Sequence, residues 1–144
     1  MPSTLTLDAA RKMVAAALRH GHERGLKPLT VVVLDAGGHV VAAEREDGAS
    51  NLRFEIARGK ANGALAIGMG SRALMNRAEQ QAYFVQALNG LAGGNVVPVP
   101  GGVLIRDAAG ATVGAVGISG DASDADEACA VAGVEAAGFT PDPG

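Results

Sequence analysis

VVPVPGGVLIRDAAGATVGAVGISGDASDADEACAVAG, residues 96–133, is the stretch on which the fold turns. Two apolar runs, Gly102–Asp107 and Thr112–Ser119, flank Asp107-Ala108-Ala109-Gly110. Asp and Gly supply the chemistry of a tight turn between β-branched segments, so the pair reads as an antiparallel hairpin. Upstream, Asn95–Pro100 (NVVPVP) reads as a short extended segment. Its two prolines lack the N–H that a ladder needs, which assigns it to a sheet edge. Gly101-Gly102 permits a sharp reversal after it. Downstream, the aspartate burst opens a helix over 122–138, with Ser123 and Asp124 as cap candidates and Asp124 and Glu127 spaced like a capping box. Counted from Asp121, the burst places Asp126 and Ala132 where a calcium loop needs Gly and Glu, so the aspartates read as helix-terminus carboxylates.

The same logic carries toward the N-terminus. TVVVLD, residues 30–35, and HVVAAERE, residues 39–46, enclose Asp35-Ala36-Gly37-Gly38 and form a first hairpin. Ahead of it, Leu7, Ala10, Val14, Ala17 and Leu18 recur at helical spacing behind Thr6 or Asp8 as cap, and Gly25 and Pro28 end that helix. Between the hairpins, helical periodicity begins near Asn51, with Leu52, Ile56, Gly59 and Gly63 on one side. The small residues allow a close neighbour. A shorter helix follows over about 77–91, broken by Ala92-Gly93-Gly94-Asn95. The expected order is helix, two strands, one or two helices, three strands, helix. That is an α+β fold with a five-stranded antiparallel sheet flanked by helices, in one domain over 1–144 with residues 139–144 loosely held.

Bulk composition narrows the function classes. At 144 residues and 48% apolar, the chain can bury a core of its own. Aromatics are only 3% and the 12 Lys and Arg are scattered in a chain of net charge −3, which argues against a nucleic-acid partner. No apolar run approaches a membrane span, and the N-terminus lacks the pattern of a signal peptide. Cys129 is the one cysteine, so no intrachain disulfide forms and a cytoplasmic setting is expected. Set between alanines, it reads as a small buried apolar residue. Neither a phosphate-binding glycine loop nor a Ser-His-Asp triad can be assigned.

Two groups of polar residues stand out. His20 and His22 lie at the end of the first helix, two apart, and so cannot chelate one ion together. Either alone suffices as an axial ligand of haem iron, or both simply answer the helix dipole. His39, just after the first hairpin turn, is expected to be exposed. The second group is EREDGASNLRFEIARGK, residues 44–60. Arg45, Arg53 and Lys60 are candidates to converge on a carboxylate or a haem propionate, with Asp47 orienting them and Ser50 capping the helix. A solvated strand end beside a charged helix face is the alternative.

Four blocks together resemble the GlcG/HbpS-type haem-binding family: residues 31–50, 56–65, 97–121 and 123–138, the last two being VPVPGGVLIRDAAGATVGAVGISGD and SDADEACAVAGVEAAG. The family is also similar to the C-terminal domain of some corrinoid adenosyltransferases. The resemblance spans about residues 5–138. It implies a five-stranded antiparallel sheet, homo-oligomers of two or more copies, and haem as cofactor, in haem or iron handling. It implies that a histidine near the end of the first helix matters, which is His22 or His20 here. It also makes Pro98, Pro100, Gly101 and Gly102 a pocket rim or subunit contact. Other relatives sit in operons for small-molecule catabolism, which keeps two further readings open. One is an enzyme or accessory protein for a small oxyacid, with Arg53 and Lys60 holding the anion and Glu44, Asp47 or a histidine moving a proton. The other is a non-catalytic oligomeric scaffold.

Overall fold

The computed structural model describes residues 4–144. The elements run α1 (Leu7–Glu23), β1 (Thr30–Asp35), β2 (Val40–Arg45), α2 (Arg53–Ile67), α3 (Ser71–Gln80), α4 (Ala82–Leu91), β3 (Gly102–Arg106), β4 (Thr112–Ser119), α5 (Ser123–Ala136) and β5 (Thr140–Asp142). The strands form one antiparallel sheet in the order β2-β1-β4-β3-β5. This is the expected α+β class with five strands.

Both hairpins fall where the sequence puts them, and for the same reason. Asp35 Oδ1 accepts from the Gly37 and His39 amides, and Asp107 Oδ1 accepts from those of Ala109 and Ala111. Each aspartate thus satisfies turn amides that would otherwise need water. Thr6 caps α1 by accepting from the Ala9 amide.

Alternation along the strands sorts the core into two layers. Val31, Val33, Val103, Ile105, Val116 and Ile118 face α1 and α5, which bring Met13, Val14, Ala17, Cys129 and Val134. Val32, Leu34, Leu104 and Ala115 face Ala57, Ala61 and Ala64 of α2. Phe54 packs only at the margin of this second face, and small side chains set the spacing at its centre. At Gly117 an added Cβ would stand 1.9 Å from the Ala57 carbonyl oxygen, so α2 rests directly on the backbone of β4. Gly59 meets Val97 less closely, with a Cβ there falling 2.7 Å from the valine side chain.

The structure corrects three expectations. Asn95–Pro100 is not a strand. Its prolines deny it a ladder, and it lies along α2 instead, with the Val97 amide donating to the Gly59 carbonyl. The fifth strand comes from the tail expected to be loose: β5 pairs with β3, and Asp142 accepts two hydrogen bonds from Arg106. Finally, α5 has Ala122 at its N-cap, with no side-chain cap. Asp124 and Glu127 turn outward to clasp Arg72 of α3, whose guanidinium they hold further in its charged form. Asp126 instead turns back to the chain ahead of the helix, accepting from the Asp121 amide.

Candidate functional site

A cleft of about 460 Å³ opens where the end of α1 meets the end of β2. His22, Leu26 and Pro28 form one wall, and Arg45, Glu46 and Asp47 the other. Glu46 is the keystone of this arrangement. Its amide donates to the Leu29 carbonyl at 2.9 Å, and its Oε1 accepts from the Leu29 amide at 2.7 Å. Doubly tied to the backbone, the carboxylate presents Oε2 to His22 Nε2 at 2.5 Å. The imidazole itself is 72% exposed and the carboxylate only 18%. The ring is therefore held in direction by a fixed acid while its other nitrogen, Nδ1, makes no hydrogen bond among the described residues. Carboxylate support of this kind orients a metal-ligating histidine.

His20 is set apart from this cleft. Two residues along a helix place it on a different side, where it is half-buried. Burial, then the charge of Arg24, lowers its pKa, which favours a neutral ring. Among the described residues no three His, Cys, Asp or Glu side chains gather as a metal site.

The cationic residues divide. Arg45 lines the His22 cleft with Asp47. Arg53 and Ser50 line a second, smaller cleft of about 200 Å³ that shares Pro28 with the first. Lys60 reaches neither. It is buried between α2 and α5, its Nζ donating to the Ile118 carbonyl at 2.8 Å and to Asp126 Oδ2 at 3.1 Å. Burial pushes Lys60 down and Asp126 up, each against the pull of its partner. Gly101 and Gly102 pack against this buried lysine, and neither they nor Pro98 and Pro100 line the two clefts just described. A Cβ on Gly102 would stand 2.2 Å from the Lys60 carbonyl oxygen. Cys129 is fully buried and its thiol is pushed up to about 11, so it is no nucleophile. His39 is exposed beside Asp35, at the far end of β1.

Glu46 is the residue the sequence reading does not single out, and Asp126, read there as a helix-terminus carboxylate, is the partner of Lys60. For Glu46 a signal existed: it sits in the same acidic strand end as Asp47, within the stretch already singled out.

Fold and cleft together define an α+β protein with one oriented imidazole at the open end of its first helix. A family model described as haem degrading protein HbpS-like matches residues 5–135. The chain belongs to this HbpS-like family. Among solved structures, HbpS is 30% identical with a TM-score of 0.77, aligning over 94% of this chain and 91% of that one. A double mutant of Streptomyces reticuli HbpS is 29% identical, also at 0.77, over 94% and 88%. A PduOC–heme complex shares the fold at a TM-score of 0.84, with 24% identity over 94% and 96%. No curated protein sequence gives a significant match.

Proposed function

We propose that this protein binds haem in the His22 cleft, as a member of a haem-degrading family. The observation that carries the reading is the His22 imidazole held by Glu46 on the wall of a cleft of about 460 Å³, a volume suited to a cofactor. The residues present fit the group. One imidazole is what an axial position requires. Leu26 and Pro28 offer apolar surface to a flat ring system, and Arg45 offers a cation to its carboxylates. Bound haem supplies an iron centre for ligand binding or redox chemistry. The chain's own part is to direct His22 through Glu46, to cover one edge of the ring system and to neutralise its acid groups. Asp47 sits on the same wall and disfavours a carboxylate placed against it, which steers those groups toward Arg45.

Haemin titration followed by the Soret band tests this. A saturable shift is expected in the wild type and in His20→Ala, and none in His22→Ala. A shift that survives His22→Ala undiminished removes His22 from the role.

Copies of the chain associate in this reading. Tyr83 and Leu91 of α4 are 72% and 88% exposed, and a second copy would cover such groups. Light scattering that finds only monomer at high concentration contradicts it. A single buried thiol suits the reducing cytoplasm.

A further inference from the structure

The second cleft has a composition opposite to that of the first. Lys27, Ser50 and Arg53 contribute its polar groups, Pro28 and Gly120 its apolar ones, and no carboxylate lines it. Arg53 is only half-buried, yet it forms no ion pair among the described residues. Two hydroxyls fix it instead. Its Nε donates to Ser50 Oγ at 3.1 Å and its Nη1 to Ser119 Oγ at 3.0 Å. The guanidinium is thus locked in place with its charge uncompensated and Nη2 making no hydrogen bond among the described residues.

The sheet beneath supplies one of the hydroxyls that hold Arg53. Arg45, Thr30 and Ser119 stand in register across β2, β1 and β4, so they share one face, the face that α2 covers. Thr30 is fully buried on it, and its Oγ1 has no hydrogen-bond partner. A buried hydroxyl left unpaired costs about 1–3 kcal/mol, and in native structures such groups ordinarily find a partner. Its strand neighbour Ser119 is the residue that holds Arg53. The nearest carboxylate on the flanking loop, Asp121, is already occupied by the Lys27 and Ala122 amides.

We infer that Arg53, Lys27 and Ser50 form a subsite for the carboxylate of a bound ligand, next to the His22 cleft and joined to it through Pro28. Two sources share this chemistry: a propionate of haem seated in the first cleft, which rests on the function proposed above, or a free small carboxylic acid. With Nε on Ser50 and one Nη1 hydrogen on Ser119, the guanidinium keeps its Nη2 hydrogens and the second Nη1 hydrogen for a carboxylate. Lys60, spent on Asp126, takes no part.

The test compares haemin, haemin dimethyl ester and sodium acetate on the wild type, Arg53→Gln and the milder Ser50→Ala, with thermal melts confirming that each variant is folded. A propionate source predicts that the wild type prefers haemin to the ester by about tenfold or more, and that Arg53→Gln erases the preference. A free-acid source predicts that acetate saturably shifts the Arg53 Nε–H resonance while haemin and ester bind alike. This arm stands even where haemin does not bind at all, so loss of the haem reading and loss of the subsite are distinguished. If Arg53→Gln is unfolded, Ser50→Ala must weaken whichever response the wild type gives. No preference for haemin over its ester, together with no saturable acetate shift, overturns the subsite.

Discussion

Two of the acid–base pairs that join distant parts of this chain are built on opposite plans. Lys60 and Asp126 meet between α2 and α5 with side chains 3% and 1% exposed. His22 and Glu46 meet at a cleft mouth with the base facing water. In the buried pair both partners also bond to the backbone: Lys60 to the Ile118 carbonyl, Asp126 to the Asp121 amide. In the open pair only the acid is spent, on Leu29, and the base is left with a nitrogen to offer. The closed pair ties α2 to the start of α5 past the end of β4. The open one leaves a ring nitrogen facing the cleft. What separates the two is exposure, not charge type.

Breaking the buried pair should produce the largest effect. Asp126→Ala leaves an ammonium without a counter-charge in the core and should cost about 3–5 kcal/mol in urea unfolding. The double change Lys60→Met with Asp126→Leu removes both charges and should recover most of that loss. If Asp126→Ala unfolds at the wild-type midpoint, the pair is not the structural clamp described here.

The open pair should respond in binding, not in stability. Glu46→Gln can still accept from the Leu29 amide, so the unfolding midpoint should move by less than ~1 kcal/mol equivalent. Losing the carboxylate behind His22 should weaken haemin binding about 10–100-fold. His22→Ala, at an exposed position, should change stability by no more than about 0.5 kcal/mol while abolishing the Soret shift. A large loss of stability in either variant would make this pair a second clamp and dissolve the contrast.

The contrast also explains what the sequence could convey. Turns and strands were legible because they are local: Asp35 and Asp107 bond amides two and four residues away, and Val31–Leu34 is an unbroken apolar run, although which of its residues faces which helix is not written in it. Lys60 was read as an anion ligand because nothing near it in sequence announces burial. Its partner lies 66 residues on, and the aspartates around that partner read as helix caps. The tail strand was illegible for the same reason. Thr140–Asp142 is short and contains Pro141, and it is held by Arg106 from 36 residues back. The candidate site was half legible. The first-helix histidines and the polar stretch after β2 were identified, but only the folded chain shows that Glu46 selects His22, that Arg45 stays with it, and that Arg53 faces a separate cleft.

Cys129 gives the finest probe of the closed side. Its thiol is raised to about 11, first by burial and then by the Asp126 carboxylate one helical turn before it. A raised folded pKa means that the folded state holds the proton more tightly than the unfolded one. The thiol's contribution to stability is therefore complete below the ordinary value of 9.0 and is lost as pH climbs through about 11. Thiolate absorbance near 240 nm should show no titration of folded protein at pH 9, and iodoacetamide should label Cys129 only on unfolding. Asp126→Asn removes the nearby negative charge and should shift the thiol titration downward by a fraction of a unit, provided the variant is kept folded by low temperature. A thiol titrating near 9 in the folded wild type would mean that water reaches the α1–α5 layer, and the seal around the buried pair would be less complete than its geometry implies.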